Sequence, residues 1–212
     1  MKELLELFAE TEIFIFVFTE IVVKIPAIEL VILKKATWKH HLIFVLIFGA
    51  FSIFGTLVGI NTLSGAVSNI RDYAPLMAGL IAGPVIGLAV GAIGGIHRIF
   101  MGGITCIPCG ISTVLAGIIG GLVYMWNKKR LIGIIPAMFL ALFVEALHGA
   151  INLLMVRPFD VAFEIVKTAI PPMMIANSLG MAIGVILVGH VLETHMLRKK
   201  VEAGQEKSQN KK

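Results

Sequence analysis

The sequence predicts an all-α, polytopic membrane protein with about six transmembrane helices packed around a glycine-rich third helix. Three observations carry this expectation. Hydrophobic residues make up 58% of the 212-residue chain before its 22 glycines are counted, whereas soluble domains hold roughly 45–50% with glycine included. Charged residues are 15%, against about 25% in soluble domains. Apolar runs of about 20 residues, the length that crosses a hydrocarbon core of about 30 Å, recur along the chain.

The charge balance is 18 basic to 13 acidic side chains, net +5. That excess sits in short connectors and the tail, which suits anchoring against anionic lipid and gives no nucleic-acid footprint. Two cysteines in a single C-x-x-C exclude a disulfide framework. The start, Met1-Lys2-Glu3 through Glu6, lacks the basic n-region and small-residue cleavage site of a signal peptide. Fewer than twenty residues follow Glu193, too few for a kinase or cyclase domain, so no enzyme is expected in this chain.

Spans are expected at roughly 9–32, 41–60, 74–96, 109–126, 131–155 and 173–194. The first is the most interrupted, by Glu12, Glu20, Lys24, Pro26 and Glu29, with Glu20 and Lys24 placed at i, i+4 to neutralise each other. Residues Ile104 to Pro108 are expected to dip into the membrane as a re-entrant segment before the fourth span. Between the fifth and sixth spans, Phe159, Ala162, Phe163, Val166 and Ile170 share one helical face, with Asp160, Glu164 and Lys167 opposite. That pattern predicts an interfacial amphipathic helix, separated from the fifth span by Arg157-Pro158. Loop lysines and arginines set orientation. Lys128-Lys129-Arg130 and Arg198-Lys199-Lys200 are two spans apart and both fit the cytoplasm, and six spans then place the N-terminus there too. Lys34, Lys35 and Lys39 fall on the wrong side of this count, and would agree only if one of the first four spans failed to cross.

The third span carries Gly79, Gly83, Gly87, Gly91 and Gly95, one every four residues, a slanted groove on a continuous helix. Gly117 and Gly121 repeat the spacing in the fourth span, Gly180 and Gly184 in the sixth. Small residues let transmembrane backbones approach closely, so a tight internal bundle is preferred to a homodimer seam. Packing does not explain the polar residues as readily. Arginine at membrane depth costs roughly 2.5–3.5 kcal/mol on insertion scales, yet Arg71 and His97-Arg98 bracket the glycine ladder. Arg71 can pair with Asp72 or a headgroup, and Arg98 can snorkel. Alternatively both hold a ligand: a helix N-terminus near Cys109, with Ser112 and Thr113 in its first turns, together with an arginine fork, suits a small carboxylate.

Other roles for the same residues stay open. Cys106 and Cys109 could form a redox pair or join His97 around a metal, although no second Cys/His pair is near; an inert packing thiol is the commonest fate. Glu145, His148 and Asn152 share one face of the fifth span, either as a proton relay or as hydrogen bonds locking that helix to the bundle. Asn177, one turn inside a sixth span opened by Pro171-Pro172, is expected to bond to another helix.

Asn69-Ile70-Arg71-Asp72, Ala78-Gly79-Leu80-Ile81-Ala82-Gly83-Pro84, Gly95-Ile96-His97-Arg98, Gly102-Gly103, Ser112-Thr113-Val114-Leu115-Ala116-Gly117 and Pro172 through Asn177-Ser178-Leu179-Gly180 follow one another as in LytS-type receptors. The likeness covers about residues 40 to 192. These receptors have a five-helix transmembrane sensory region, usually joined to a GAF domain and a histidine kinase. The resemblance implies a multi-pass plasma-membrane receptor in a two-component system, tied to extracellular pyruvate sensing and to autolysis and cell-wall control. Pyruvate-sensing members are thought to use two arginines, a cysteine and a serine, which fall by motif on Arg71, Arg98, Cys109 and Ser112. Asn69, His97, Gly102, Gly103, Thr113 and Asn177 complete the expected ligand-binding set; no catalytic residue, metal or cofactor is expected.

The chain then divides into a transmembrane sensory domain, 1–195, and a polar, basic cytoplasmic tail, 196–212. It departs from the family in stopping where relatives continue into cytosolic domains, and is either an excised sensor or a stand-alone receptor with a separate kinase. The partners implied are a small carboxylate, a histidine kinase and response regulator, the bilayer and a second copy of the chain. Ligand is expected to draw Arg71 and Arg98 together and to move the sixth span. The alternative function is the substrate-binding subunit of an energy-coupling-factor-like metabolite transporter, whose bundle and glycine pattern are more distantly similar.

Overall fold

In a computed structural model of the chain, which describes residues 2–61 and 67–209, eight helices and one short strand pair form an almost wholly helical bundle. The helices are α1 (Lys2–Val22), α2 (Pro26–Ile32), α3 (Trp38–Leu57), α4 (Tyr73–Ala82), α5 (Pro84–Phe100), α6 (Cys106–Trp126), α7 (Ile134–Met155) and α8 (Phe159–Gln209). Between α3 and α4, β1 (Ile60–Asn61) pairs antiparallel with β2 (Val67–Ser68), Ile60 opposite Ser68. Among the described residues α3, α6, α7 and α8 are long and apolar enough to cross a membrane, while α4 and α5 are shorter apolar helices.

The expected third span is the main correction. It is not one helix but two, broken at Gly83, which adopts φ +93°. An L side chain there would be strained, and Pro84 supplies no N–H for continuing the α4 ladder while its fixed φ suits the first position of α5. The chain turns back at this point. A Cβ on Gly87 would lie 2.9 Å from Gly79 Cα, so positions four residues either side of the turn face each other. α6 clasps the pair: Arg71 and Asp72 meet Thr113, Leu76 meets Gly120 and Gly83 meets Tyr124, so α4 runs parallel to α6. Gly95 meets Gly110, Gly91 meets Val114 and Pro84 meets Gly121, so α5 runs antiparallel to it. Glycine is the only residue that lets these three backbones close to contact, and the internal-packing role of the stripes stands; the continuous groove does not. Every residue of α4 from Tyr73 to Ile81 is buried, which makes this ten-residue helix the centre of the bundle.

Three further expectations change. The first span is interrupted between Val22 and Pro26, giving α1 and α2, although the Glu20–Lys24 ion pair forms at 2.5 Å. The re-entrant segment at Ile104 to Pro108 is instead a tight turn over 101–105, with Gly102 and Gly103 at φ +74° and +87°, and α6 already begins at Cys106. The interfacial helix and sixth span are one 51-residue helix, α8, with Pro171 and Pro172 inside it. Proline inside a helix surrenders a hydrogen bond, but packed neighbours make this tolerable within a membrane. The buried face of its first turns is Ala162, Ile165, Ala169 and Ile170, with Ile170 and Val166 against Gly149 of α7, while Phe159 and Phe163 are exposed.

The hairpin also removes the conflict among the basic loops. Lys34 Nζ contacts the carbonyl of Lys129 and stands 5.4 Å from the Tyr124 ring centroid, and Lys35 Nζ lies 3.4 Å from His195 Nε2. The connectors after α2 and α6 and the distal part of α8 therefore share one end of the molecule. α4 and α5 leave from and return to the opposite end, so residues 73–100 do not pass from one end of the bundle to the other.

Candidate ligand-binding site

A continuous helix through 74–96 would hold Arg71 and Arg98 about 40 Å apart at about 1.5 Å per residue. The turn at Gly83 brings both back to the N-terminal half of α6. Arg71, on the connector that dips in before α4, is wholly buried. Its main chain is fixed on two sides: its N–H donates to Asn69 Oδ1 (3.1 Å) and its carbonyl accepts from Ser52 Oγ of α3 (3.1 Å). Its Nε–H donates to Thr113 Oγ1 (2.6 Å), and that hydroxyl donates onward to Asp72 Oδ1 (2.6 Å). Direct Arg71 Nε–Asp72 Oδ1 contact is 3.5 Å. Among the described residues the two terminal nitrogens, Nη1 and Nη2, are buried and have no hydrogen-bond partner. An unmet charged donor in a low-dielectric interior is costly, so these two NH2 groups are where an anion would be stabilised.

Asp72 carries the network to α7. His148 Nδ1–H donates to Asp72 Oδ2 (2.8 Å), and Glu145 Oε2 lies 3.6 Å from the same nitrogen. All three side chains are at most 1% exposed. On the face of α7 bearing Glu145, His148 and Asn152, His148 ties the helix to Asp72, while the Asn152 amide donates to the His148 carbonyl of its own helix (3.0 Å). One ligand atom from each of Asp72, Glu145 and His148 lies within 4.8 Å of the others. The Arg71 guanidinium already supplies the positive charge beside Asp72, so the donor set fits an ion-pair network and not a cation site. Among the described residues neither carboxylate oxygen of Glu145 has a hydrogen-bond partner.

Cys109 stands one turn before Thr113, whose hydroxyl lies 3.0 Å from the Cys109 carbonyl. It is half-buried, and its Sγ lies 4.0 Å from Asn152 Oδ1. Arg98, at the end of α5, donates from Nη1 to the Gly102 carbonyl and from Nη2 to Thr105 Oγ1, each at 2.8 Å. Ser112 is buried one turn beyond Cys109 but donates to the Pro108 carbonyl (2.8 Å). Asn177 of α8 donates to the Asn69 carbonyl (3.3 Å), tying α8 to the loop that carries Arg71, and its Oδ1 is unpaired.

Of the expected set, Arg71, Asn69, Thr113, Cys109 and Asn177 are joined through this network; Arg98 and Gly102 form the turn beside it. Ser112 lines the same stretch of α6. Gly103 faces open space, its carbonyl accepting from the Cys106 N–H (3.1 Å), and His97 is half-buried with Nδ1 unpaired among the described residues. Asp72, Thr105, Glu145 and His148 belong to the network although sequence reasoning left them out of the set. The polar face of α7 was a readable signal; its facing partner was not.

A family model described as 5TMR of 5TMR-LYT matches residues 25–190. The chain belongs to the 5TMR-LYT family of sensory membrane regions. It is similar to the sensor histidine kinase BtsS of Escherichia coli K12, 34% identical over 149 residues, covering 68% of this chain and 26% of that protein. It is also similar to the sensor protein LytS of Bacillus cereus, 32% identical over 176 residues (75% and 29%). The sensor histidine kinase/phosphatase LytS of Staphylococcus aureus Mu50 is 28% identical over 205 residues (89% and 35%). The chain spans about a quarter to a third of the length of these curated relatives. No solved structure matches it. Family and apolar helices together make this 5TMR-LYT domain a multi-pass protein of the bacterial plasma membrane and the sensory transmembrane region of a two-component sensor type.

Proposed function

We propose that this domain binds a small monocarboxylate, with pyruvate the first candidate, and passes its occupancy to a histidine kinase and response regulator linked to cell-wall and autolysis control. The kinase is joined in a longer protein or is a separate partner. The reading rests on one observation above all: Arg71 is fully buried, and among the described residues its two Nη groups have no hydrogen-bond partner. A carboxylate matches a guanidinium fork in bidentate fashion. Arg98 joins by releasing the Gly102 and Thr105 oxygens, Cys109 bonds to a remaining ligand oxygen, and Ser112 does so by turning its proton away from Pro108. Asn69, Thr113 and Asn177 hold Arg71 in place, and the turn at Gly102 and Gly103 lets Arg98 move. A ligand shifts a conformational equilibrium only through differential affinity; exchange of the Arg98 bonds supplies that difference, and the Asn177–Asn69 link carries it to α8. The basic end, which includes the C-terminal part of α8, faces the cytoplasm in this reading.

Calorimetric titration of the purified chain with pyruvate, repeated on Arg98→Ala, tests it. Saturable binding weakened at least tenfold in the variant is expected. Equal affinity in the two proteins, or none in the parent, removes the reading; pyruvate uptake by reconstituted vesicles would mark a transport subunit instead.

A further inference from the structure

At the basic end, a crevice of about 420 Å³ opens between the ends of α2, α4, α6 and α8. Its interior is apolar, formed by Leu80, Ile81, Val188 and Leu192, and its rim carries Lys34, Lys129, Arg130 and His195. The size falls within the roughly 300–1,000 Å³ of small-molecule sites. We propose that this crevice holds one anionic phospholipid, an acyl chain lying against Leu80 and Leu192 and the phosphate on the Lys34–Lys129–Arg130 rim.

Two independent features support this. First, the rim is built from backbone that lysine rarely adopts. Among the described residues, the non-glycine positions with positive φ are Lys34 (58°), Lys128 (56°) and Lys129 (60°). Each cap is of the Schellman kind: Lys35 N–H bonds to Leu30 O and Lys34 N–H to Val31 O at the end of α2, and Lys129 N–H bonds to Tyr124 O and Lys128 N–H to Met125 O at the end of α6. Glycine is the ordinary occupant of such a left-handed cap, and strained non-glycine residues gather at ligand clamps. What lysine adds there is an ammonium group. Second, the rim charge is uncompensated: among the described residues no carboxylate pairs with Lys34, Lys129 or Arg130. Cations at helix C-termini offset the macrodipole, and Lys34 on the Lys129 carbonyl does so. That accounts neither for Arg130 nor for an apolar interior beneath the charges. A cationic rim over an apolar slot between membrane helices matches acidic lipid, whose head groups such basic pockets bind; a soluble anion would leave the slot empty. The floor of the crevice is the tip of α4, so the lipid would brace the helix that follows Arg71 and Asp72.

Native mass spectrometry of the 212-residue chain, offered equal phosphatidylglycerol and phosphatidylcholine in detergent, tests the proposal. One retained phosphatidylglycerol, preferred at least tenfold, is expected. The Lys129→Gln/Arg130→Gln variant should lose the preference while keeping the parental melting temperature, and Leu192→Trp, which fills the slot without altering charge, should release the lipid. Equal retention of both lipids overturns the proposal. So does a preference that survives Lys129→Gln/Arg130→Gln, displacement by glycerol 1-phosphate at the lipid's own concentration, or an acidic peptide recovered from the crevice in the lipid's place.

Discussion

Thr113 illustrates how much one small side chain does in a dry interior. Its hydroxyl accepts from a cation and donates to an anion, and it links α6 to the connector before α4 through both. Valine has the same shape without the hydroxyl. Thr113→Val therefore leaves Arg71 Nε with no acceptor except Asp72 at 3.5 Å; hydrogen bonds to charged groups are worth about 1.5–3 kcal/mol, and a loss of that order should appear as a lower melting temperature in detergent. Asp72→Asn should cost more, about 3–5 kcal/mol, because removing one member of a buried ion pair strands the other; the same melting experiment ranks the two, and Asp72→Asn melting above Thr113→Val would break the ion-pair account. Arg71→Lys separates structure from recognition. A lysine ammonium can reach Thr113 or a ligand, but it lacks the planar fork that serves both. The variant is expected to stay folded and to bind pyruvate at least tenfold more weakly in calorimetry. Arg71, Arg98, Cys109 and Ser112 could be singled out in sequence because polar groups in an apolar chain are conspicuous. That Arg71 reaches Thr113 and Asp72 reaches His148 could not, because those contacts depend on which helix faces which.

At the scale of elements, the α4–α5 hairpin is the feature on which the site depends, and Gly83-Pro84 was its visible signal. A glycine–proline pair marks turns, yet within an unbroken apolar run the four-residue glycine spacing argued more strongly for one long helix. The spacing was real but had another origin. Gly79 and Gly87 face the same stretch of α6 because they flank a turn, not because they line one groove. α8 shows the reverse error. Pro171-Pro172 and an amphipathic pattern suggested a boundary, and packing of Ala162, Ile165 and Ala169 carried the helix through it. Spans α3, α6 and α7 followed from hydropathy alone, since lipid sets their length whatever they pack against. Two substitutions measure what the glycines contribute. In Gly117→Ala the new methyl would overlap the Gly87 backbone, with Gly87 Cα at 3.1 Å. Overpacking of this kind typically costs about 1–3 kcal/mol, so a marked fall in melting temperature and weaker pyruvate binding are expected together. Gly189→Ala meets nothing within 4 Å and gains up to about 1 kcal/mol of helix propensity, so its melting temperature should hold or rise. Equal effects of the two would mean that close backbone contact is not what these glycines provide.

For the whole molecule, the hairpin decides which loops share an end of the bundle. If residues 74–96 crossed once, the connector at Lys34–Lys35 and the one at Lys128–Arg130 would lie on opposite faces. With α4 descending and α5 returning, both lie at one end with His195, where Lys34 reaches Lys129 and Lys35 reaches His195. Lysine and arginine in short loops favour the cytoplasm, and this arrangement gathers all three basic segments on one face without exception. The first helix then starts from the opposite side, since α1 and α3 run in opposite directions between Phe14–Phe54 near one end and the α2 turn near the other. Single cysteines introduced into a Cys106→Ser/Cys109→Ser background, labelled with a membrane-impermeant maleimide in intact cells and in inverted vesicles, read this directly. Lys35→Cys, Lys128→Cys and Arg198→Cys should label together, in inverted vesicles, and Ile104→Cys and Arg157→Cys from the other face in intact cells. Labelling of Lys35→Cys in intact cells, opposite to Lys128→Cys, would restore a single crossing at 74–96, place Arg71 and Arg98 at opposite faces, and leave no common site for one carboxylate.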